Sequence, residues 1–179
     1  NRTTYNLARM NMILHGVHYR QFDIKQEDTL EHPQHLNDMP FEAIVANPPF
    51  SANWSANPLF LNDDRFSQYG KLAPSSKADF AFVQHIIYHV ADNGTMAIVL
   101  PQGRFNNASD QYIRDYIADK CRILAVVGLH GNVFKPHNGT KTSVLFVQKW
   151  DEELCPKVDD YNVFFATMQE PSKDNSGDN

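Results

Sequence analysis

The chain has 179 residues, with 16 Lys plus Arg against 21 Asp plus Glu, for a formal net charge of −5. A hydrophobic share of 42% with 21% charged residues excludes a disordered or collagen-like chain, and the length suits one domain with an appendage. No stretch approaches the roughly 18 uninterrupted apolar residues of a membrane span, and Cys121 and Cys155 lack any metal-ligand or disulfide-framework spacing. A reducing cytoplasm is therefore the expected compartment. The pI near 5.9 excludes a global basic field, so any nucleic-acid role must rest on a local site or a partner.

Leu7, Met10, Leu14 and Val17 step by three and four, the stripe of an opening helix that Gly16 ends. Tyr19 to Ile24 alternates as a short strand, and Lys25 to Pro40 is polar and punctuated by proline. Phe41 to Ala46 is an apolar run stopped by Asn47-Pro48-Pro49-Phe50. Successive prolines supply no ladder donors and force extended geometry before them, so this is a buried strand ending in a rigid turn. Ser51 to Ser76 is rich in Asn, Ser, Asp, Gly and Pro and too long for an ordinary connection.

Asp79 is placed to cap a helix whose Phe80, Val83, Ile87 and Val90 form one stripe, before Asp92-Asn93-Gly94 turns the chain. Thr95 to Leu100 reads as a strand buried on both faces, and Ser109 to Lys120 as a helix with Tyr112, Ile113, Tyr116 and Ile117 inward. Arg122 to Leu129 and Thr142 to Lys149 are two more strands, close enough to pair antiparallel. The alternation predicts an α/β fold, with helices on both faces of a mostly parallel sheet. Residues 1–150 form the main body of this reading. Residues 151–168 are an extension with one strand at Tyr161 to Ala166, and 169–179 a polar tail without structure.

Asn47-Pro48-Pro49-Phe50 is the most informative stretch. Composition alone puts Asn-Pro-Pro-aromatic in such a chain on the order of once in a thousand. It also stands at the carboxyl end of a strand, where open α/β sheets bind ligands. The chemistry it suits is methylation of a conjugated nitrogen. An exocyclic amine whose lone pair is delocalised into a ring is a poor nucleophile until both N–H groups meet acceptors aimed for tetrahedral geometry. The Asn47 side-chain carbonyl offers one acceptor and the Pro48 backbone carbonyl the other, its direction restricted by Pro49. Phe50 can stack on the base, which must be flipped out of a duplex to arrive.

These residues resemble the catalytic motif of S-adenosylmethionine-dependent amino-methyltransferases, and the surrounding chain resembles the modification subunits of type I restriction-modification systems. The resembling stretches are Tyr5 to Gly16, Asp28-Thr29-Leu30, Ala78 to His85, Ala97 to Gly103, and Val127-Gly128-Leu129 with Asn132-Val133-Phe134. The resemblance implies a partial Rossmann-like methyltransferase core of strand order 3-2-1-4-5-7-6, acting on adenine N6 in DNA. It implies specificity and restriction subunits as partners. It assigns Asn47, Pro48, Pro49 and Phe50 to catalysis, Asp28, Thr29 and Asn47 to the cofactor, and Phe134 beside Phe50 to the base. Lys135 and Lys141 flank Phe134 as candidate phosphate contacts.

The family's glycine-rich loop after its first strand and the acidic residue after its second have no counterpart here, so the isolated chain is expected to be inactive. The first residue is not Met, which is read as an excised or processed segment. Two rivals keep weight: the same motif methylating protein glutamine or RNA amines, and an inactive assembly module. No metal is expected. His85 and His89 have ligand spacing without a third ligand, and His15 and His18 offer no better. Sequons at Asn1, Asn53, Asn93, Asn107 and Asn138 are read as accidents of Asn-rich turns, and no hydrolase triad is visible.

Overall fold

The structure, a computed structural model, describes residues 2–50, 54, 57–67 and 78–178. It divides into two compact units, Asn1–Asp38 and Met39–Asn179.

The first unit opens with α1 (Arg2–Leu14). Gly16, at φ 81, ends the helix in a Schellman turn: Gly16 N–H bonds Ile13 O and Val17 N–H bonds Met12 O, both at 3.0 Å. The apolar stripe is present but open, with Leu7 65%, Met10 54% and Leu14 76% exposed. Tyr19 to Ile24 forms no strand, correcting the alternation reading. A ladder needs a neighbour, and the described residues of this unit hold no second strand.

The second unit is built on a sheet of order β1-β2-β4-β3-β5, with β1 Phe41–Ala46, β2 Val90–Pro101, β3 Cys121–Gly128, β4 Thr142–Lys149 and β5 Phe164–Thr167. β1 pairs β2 in parallel, β4 runs antiparallel to β2 and β3, and β5 pairs β3 in parallel. Four strands therefore run one way. The run β1-β2-β4-β3 is the 4-5-7-6 part of the order implied by the resemblance.

The turn expected at Asp92-Asn93-Gly94 is a bulge inside β2, where the register jumps from Phe41↔Val90 to Ala43↔Thr95. Asn93 takes φ 60. A Cβ on Gly94 would stand 2.8 Å from Ala91 O and 3.0 Å from Glu42 O, so only glycine lets the two backbones approach.

Of the long loop at Ser51 to Ser76, the described part holds a 3₁₀ turn (Pro58–Asn62) and α2 (Asp64–Ser67); the rest lies outside the described residues. α3 (Ala78–His89) carries β1 over to β2, and α4 (Gly103–Asn106) with α5 (Gln111–Lys120) carries β2 to β3. Both crossovers step the same way along the sheet, so right-handed connections put α3 and α5 on one face. Their contact agrees: Phe80 meets Tyr112 edge-on at 5.1 Å and Tyr116 at 5.6 Å. Under these helices Met96, Ile98, Leu100, Leu145 and Val147 are buried on the paired face of β2 and β4. Each such side chain contributes roughly 1.5–3 kcal/mol of burial. The opposite face shows Val45 at 84% and Phe146 at 37% exposure.

Candidate active site

β1 and β2 run in register to Ala46↔Ile98, so Asn47 to Phe50 leave the sheet beside the end of β2. Asn47 is exposed, Pro48 buried and Phe50 half-buried. The buried proline anchors the turn while the amide beside it stays accessible to a ligand. Phe134, in the loop between β3 and β4, reaches the same place: its ring meets Phe50 edge-on, 5.6 Å between centroids and 83° between planes. The two aromatic rings expected to hold the base are thus brought together from positions 84 residues apart.

Asp28 and Thr29 belong to the first unit. Asp28 Oδ1 accepts the N–H groups of Leu30 and Glu31, both at 3.0 Å, which makes it a turn aspartate in this structure. Also in that unit, Asp23, His35 and Asp38 offer ligand atoms within 4.8 Å of one another. They are engaged locally, Asp23 with Lys25 and His35 with Asp38, each at 2.7 Å.

Two arrangements beside the motif were not visible in the sequence. The first follows it in the chain: Trp54, Phe60 and Phe66 form a small aromatic core with centroids 5.4 to 5.7 Å apart. Arg65, 2% exposed, lies over Phe66 and binds Asp63 through Nε and Nη2. Arg65 Nη1 donates to His85 Nδ1 at 3.0 Å, so that imidazole must be neutral with its proton on Nε2. His89 Nδ1 donates to His85 O at 2.7 Å, so neither Nδ1 of the histidine pair is available to a metal.

Burial, helped by the neighbouring His89 and Arg65 charges, lowers His85 from 6.5 to about 3. The unfolded chain therefore takes up a proton on this ring that the folded chain refuses. Stability from this group is complete above pH 6.5 and is lost as pH falls toward 3. Urea unfolding at stepped pH checks this: His85→Gln should flatten the acid limb, and an unchanged limb would remove His85 as its cause.

The second arrangement is a buried ionic triad. Arg104 of α4 donates Nε to Asp79 Oδ2 in the first turn of α3, and Nη1 to Asp110 Oδ2 at 2.9 Å, just before α5. Asp79 is 1% exposed, Asp110 0% and the Arg104 side chain 13%. Burial alone would depress the guanidinium, but hydrogen bonds to the two carboxylates override it and raise its pKa. Asp79 Oδ1 accepts the first-turn N–H of Phe80 at 3.1 Å, and its other oxygen is in addition the partner of a residue 25 positions on. A lone acidic residue at a helix start gives no signal of that.

A family model described as N-6 DNA Methylase matches residues 1–179. The methylase subunit of the type I restriction enzyme MpnII of Mycoplasma pneumoniae is 42% identical over 166 residues, which is 87% of this chain and 30% of that protein. The HindI methylase subunit of Haemophilus influenzae is 35% identical over 136 residues, 75% of this chain and 30% of that protein. Among solved structures, the methyltransferase subunit of a type I restriction-modification system from Streptococcus thermophilus superposes with a TM-score of 0.75 at 45% identity. That match covers 83% of this chain and 32% of that one.

Proposed function

Because the chain belongs to the N-6 DNA methylase family, we propose that it carries the target-base side of an adenine-N6 DNA methyltransferase of a type I restriction-modification system. The observation that carries this reading is the Asn47-Pro48-Pro49-Phe50 turn at the end of β1, with Phe50 edge-on to Phe134. In it, the Asn47 side-chain oxygen and the Pro48 backbone oxygen each accept one N–H of a flipped adenine. Phe50 stacks on the ring and Phe134 walls it. No strong general base is required, since aimed acceptors and proximity do most of the work.

S-adenosylmethionine supplies the methyl group in such a reaction. The residues present fit the methyl-accepting side, through Asn47. They do not fit the rest: among the described residues no glycine cluster follows a strand, and the isolated glycines line no cofactor cradle. The described residues therefore offer no holder for the cofactor's amino-acid end, and Asp28 and Thr29 are proposed only for its adenine end.

The relatives it resembles are methylase subunits of type I restriction enzymes, of which this chain spans 30%. By that likeness its partners are DNA, a specificity subunit that reads the target and a restriction subunit. Work on the chromosome puts the protein in the cytoplasm. Among the described residues no helix is long and apolar enough to cross a membrane.

Mass spectrometry of cells expressing the complete gene product tests the substrate. N6-methyladenine in DNA is expected. Methylated glutamine or RNA without it would favour the motif's other known chemistry, and no new methylation would favour an assembly module.

A further inference from the structure

We propose that Asn132 is a positioning residue for the base site, tying the loop that carries Phe134 to a strap formed by residues 168–178. The proposal rests on the reading of Phe50 and Phe134 given above.

The sheet itself delivers the strap. β5 pairs in parallel with β3, from Ala125↔Phe164 to Gly128↔Thr167, so the chain leaves β5 at the same end as it leaves β1 and β3. Met168 N–H extends the ladder by one bond to Gly128 O, at 2.8 Å. The polar residues beyond it, whose composition gives no reason to expect contacts, then run beside the loop between β3 and β4. Asn132 Nδ2 donates to Lys173 O at 2.9 Å and to Asn175 Oδ1 at 3.4 Å. Lys173 Nζ donates back to Lys135 O at 3.3 Å. Gly177, at φ 98, lies so close that a Cβ would stand 2.5 Å from Pro136 Cδ and 2.8 Å from the Lys135 carbonyl carbon. The strap's own end is curled by Asp174, whose Oδ1 accepts from the N–H groups of Ser176 and Gly177 at 2.8 Å and Asp178 at 3.0 Å.

These contacts bracket Phe134 at positions 132, 135 and 136. Among the described residues, every other hydrogen bond from positions 130–139 stays within the loop: Val133 to His130, Lys135 to Asn132, Asn138 to Phe134, Asn132 to the His130 ring, and Thr140 to Asn138. Local bonds shape the loop without locating it. The loop's ends are tied to the sheet by Leu129 N–H to Thr142 O and Gln102 N–H to Lys141 O, both at 2.9 Å; between those ends the strap supplies the hydrogen bonds that hold the Phe134 segment, and Asn132 is the side chain through which it acts. A wall displaced by about 1 Å can cost on the order of 100-fold in rate, because the acceptors on the amine are effective only in one geometry.

The test uses the complete gene product assembled with its specificity subunit. It reads methylation kinetics and the fluorescence of 2-aminopurine placed at the target adenine. Asn132→Ala should lower kcat/KM for DNA by roughly 10- to 100-fold and reduce the fluorescence rise on binding, with cofactor KM and unfolding midpoint unchanged. Gly177→Val, whose side chain would collide with Pro136 and Lys135 and so part the strap from the loop while leaving Asn132 intact, should do the same. Wild-type kinetics and fluorescence in both variants would overturn the inference while leaving the base-site reading intact. A loss shared equally by cofactor KM and thermal stability would also overturn it, because the role would then be only structural. Phe134→Ala is the reference: if it leaves flipping and kcat/KM unchanged, the reading of Phe134 falls and the role of Asn132 with it.

Discussion

Asn47→Ala in the complete gene product should cut methyl transfer by about a thousandfold or more in kcat while leaving DNA binding and stability close to wild type. The side chain is exposed at the end of β1, so its removal empties no core, and exposed substitutions of this kind usually stay within about 0.5 kcal/mol in stability. The turn's anchor is the buried Pro48. On the function proposed above, what is lost is the side-chain acceptor on the adenine amine, and with it the pull toward tetrahedral geometry that makes the nitrogen nucleophilic. Asn47→Asp keeps an acceptor oxygen and should retain clearly more activity than Ala. Single-turnover methylation at saturating DNA isolates the chemical step. An Ala variant within tenfold of wild type would remove Asn47 from the mechanism, and a variant that fails at DNA binding would make it a binding residue instead.

Much of this site was legible because its parts are local. Phe41 to Ala46 is short, apolar and stopped by two prolines, and the Phe80, Val83, Ile87 stripe and the Thr142 to Lys149 run declare their period within a dozen residues. Those elements form where the pattern puts them. Tyr19 to Ile24 has the alternation of a strand but forms none, since alternation prepares a face and only a neighbouring strand can satisfy the backbone. Asp79 and Arg104 each look ordinary alone, and their pairing across 25 residues carries no local signature. The approach of Phe134 to Phe50 was expected from the family resemblance, whereas periodicity had no means of finding it. The strap was least legible of all. Its contacts run through backbone carbonyls and a glycine, so residue type says nothing about them.

The Asp79–Arg104–Asp110 triad is the feature whose loss should cost the fold most. It fastens three segments at the carboxyl end of the sheet: the start of α3, the short α4 after β2, and the entry to α5. Arg104→Met keeps most of the side chain's volume and removes a cation that pairs with both buried carboxylates. A broken buried pair of this kind costs about 3–5 kcal/mol, because the carboxylates stay out of water after their shared guanidinium has gone. Asp79→Asn leaves an Arg–Asp pair of net zero charge and a side chain that still offers a carbonyl to the guanidinium, so it should cost only about 1–2 kcal/mol. The decisive comparison is a cycle. If charge is the cause, Arg104→Met should cost much less in a background already carrying Asp79→Asn and Asp110→Asn, where no uncompensated carboxylate remains. Equal cost in both backgrounds would mean that packing of the arginine stem holds the corner, with the ion pairs incidental. Hydrogen exchange at residues 103–114 locates the effect: protection lost there first, with β3 and β4 still closed, is the expected signature of a corner unfastened rather than a sheet undone. That corner borders the turn carrying Asn47, so the same variant should lose methyl transfer at temperatures where its sheet remains folded.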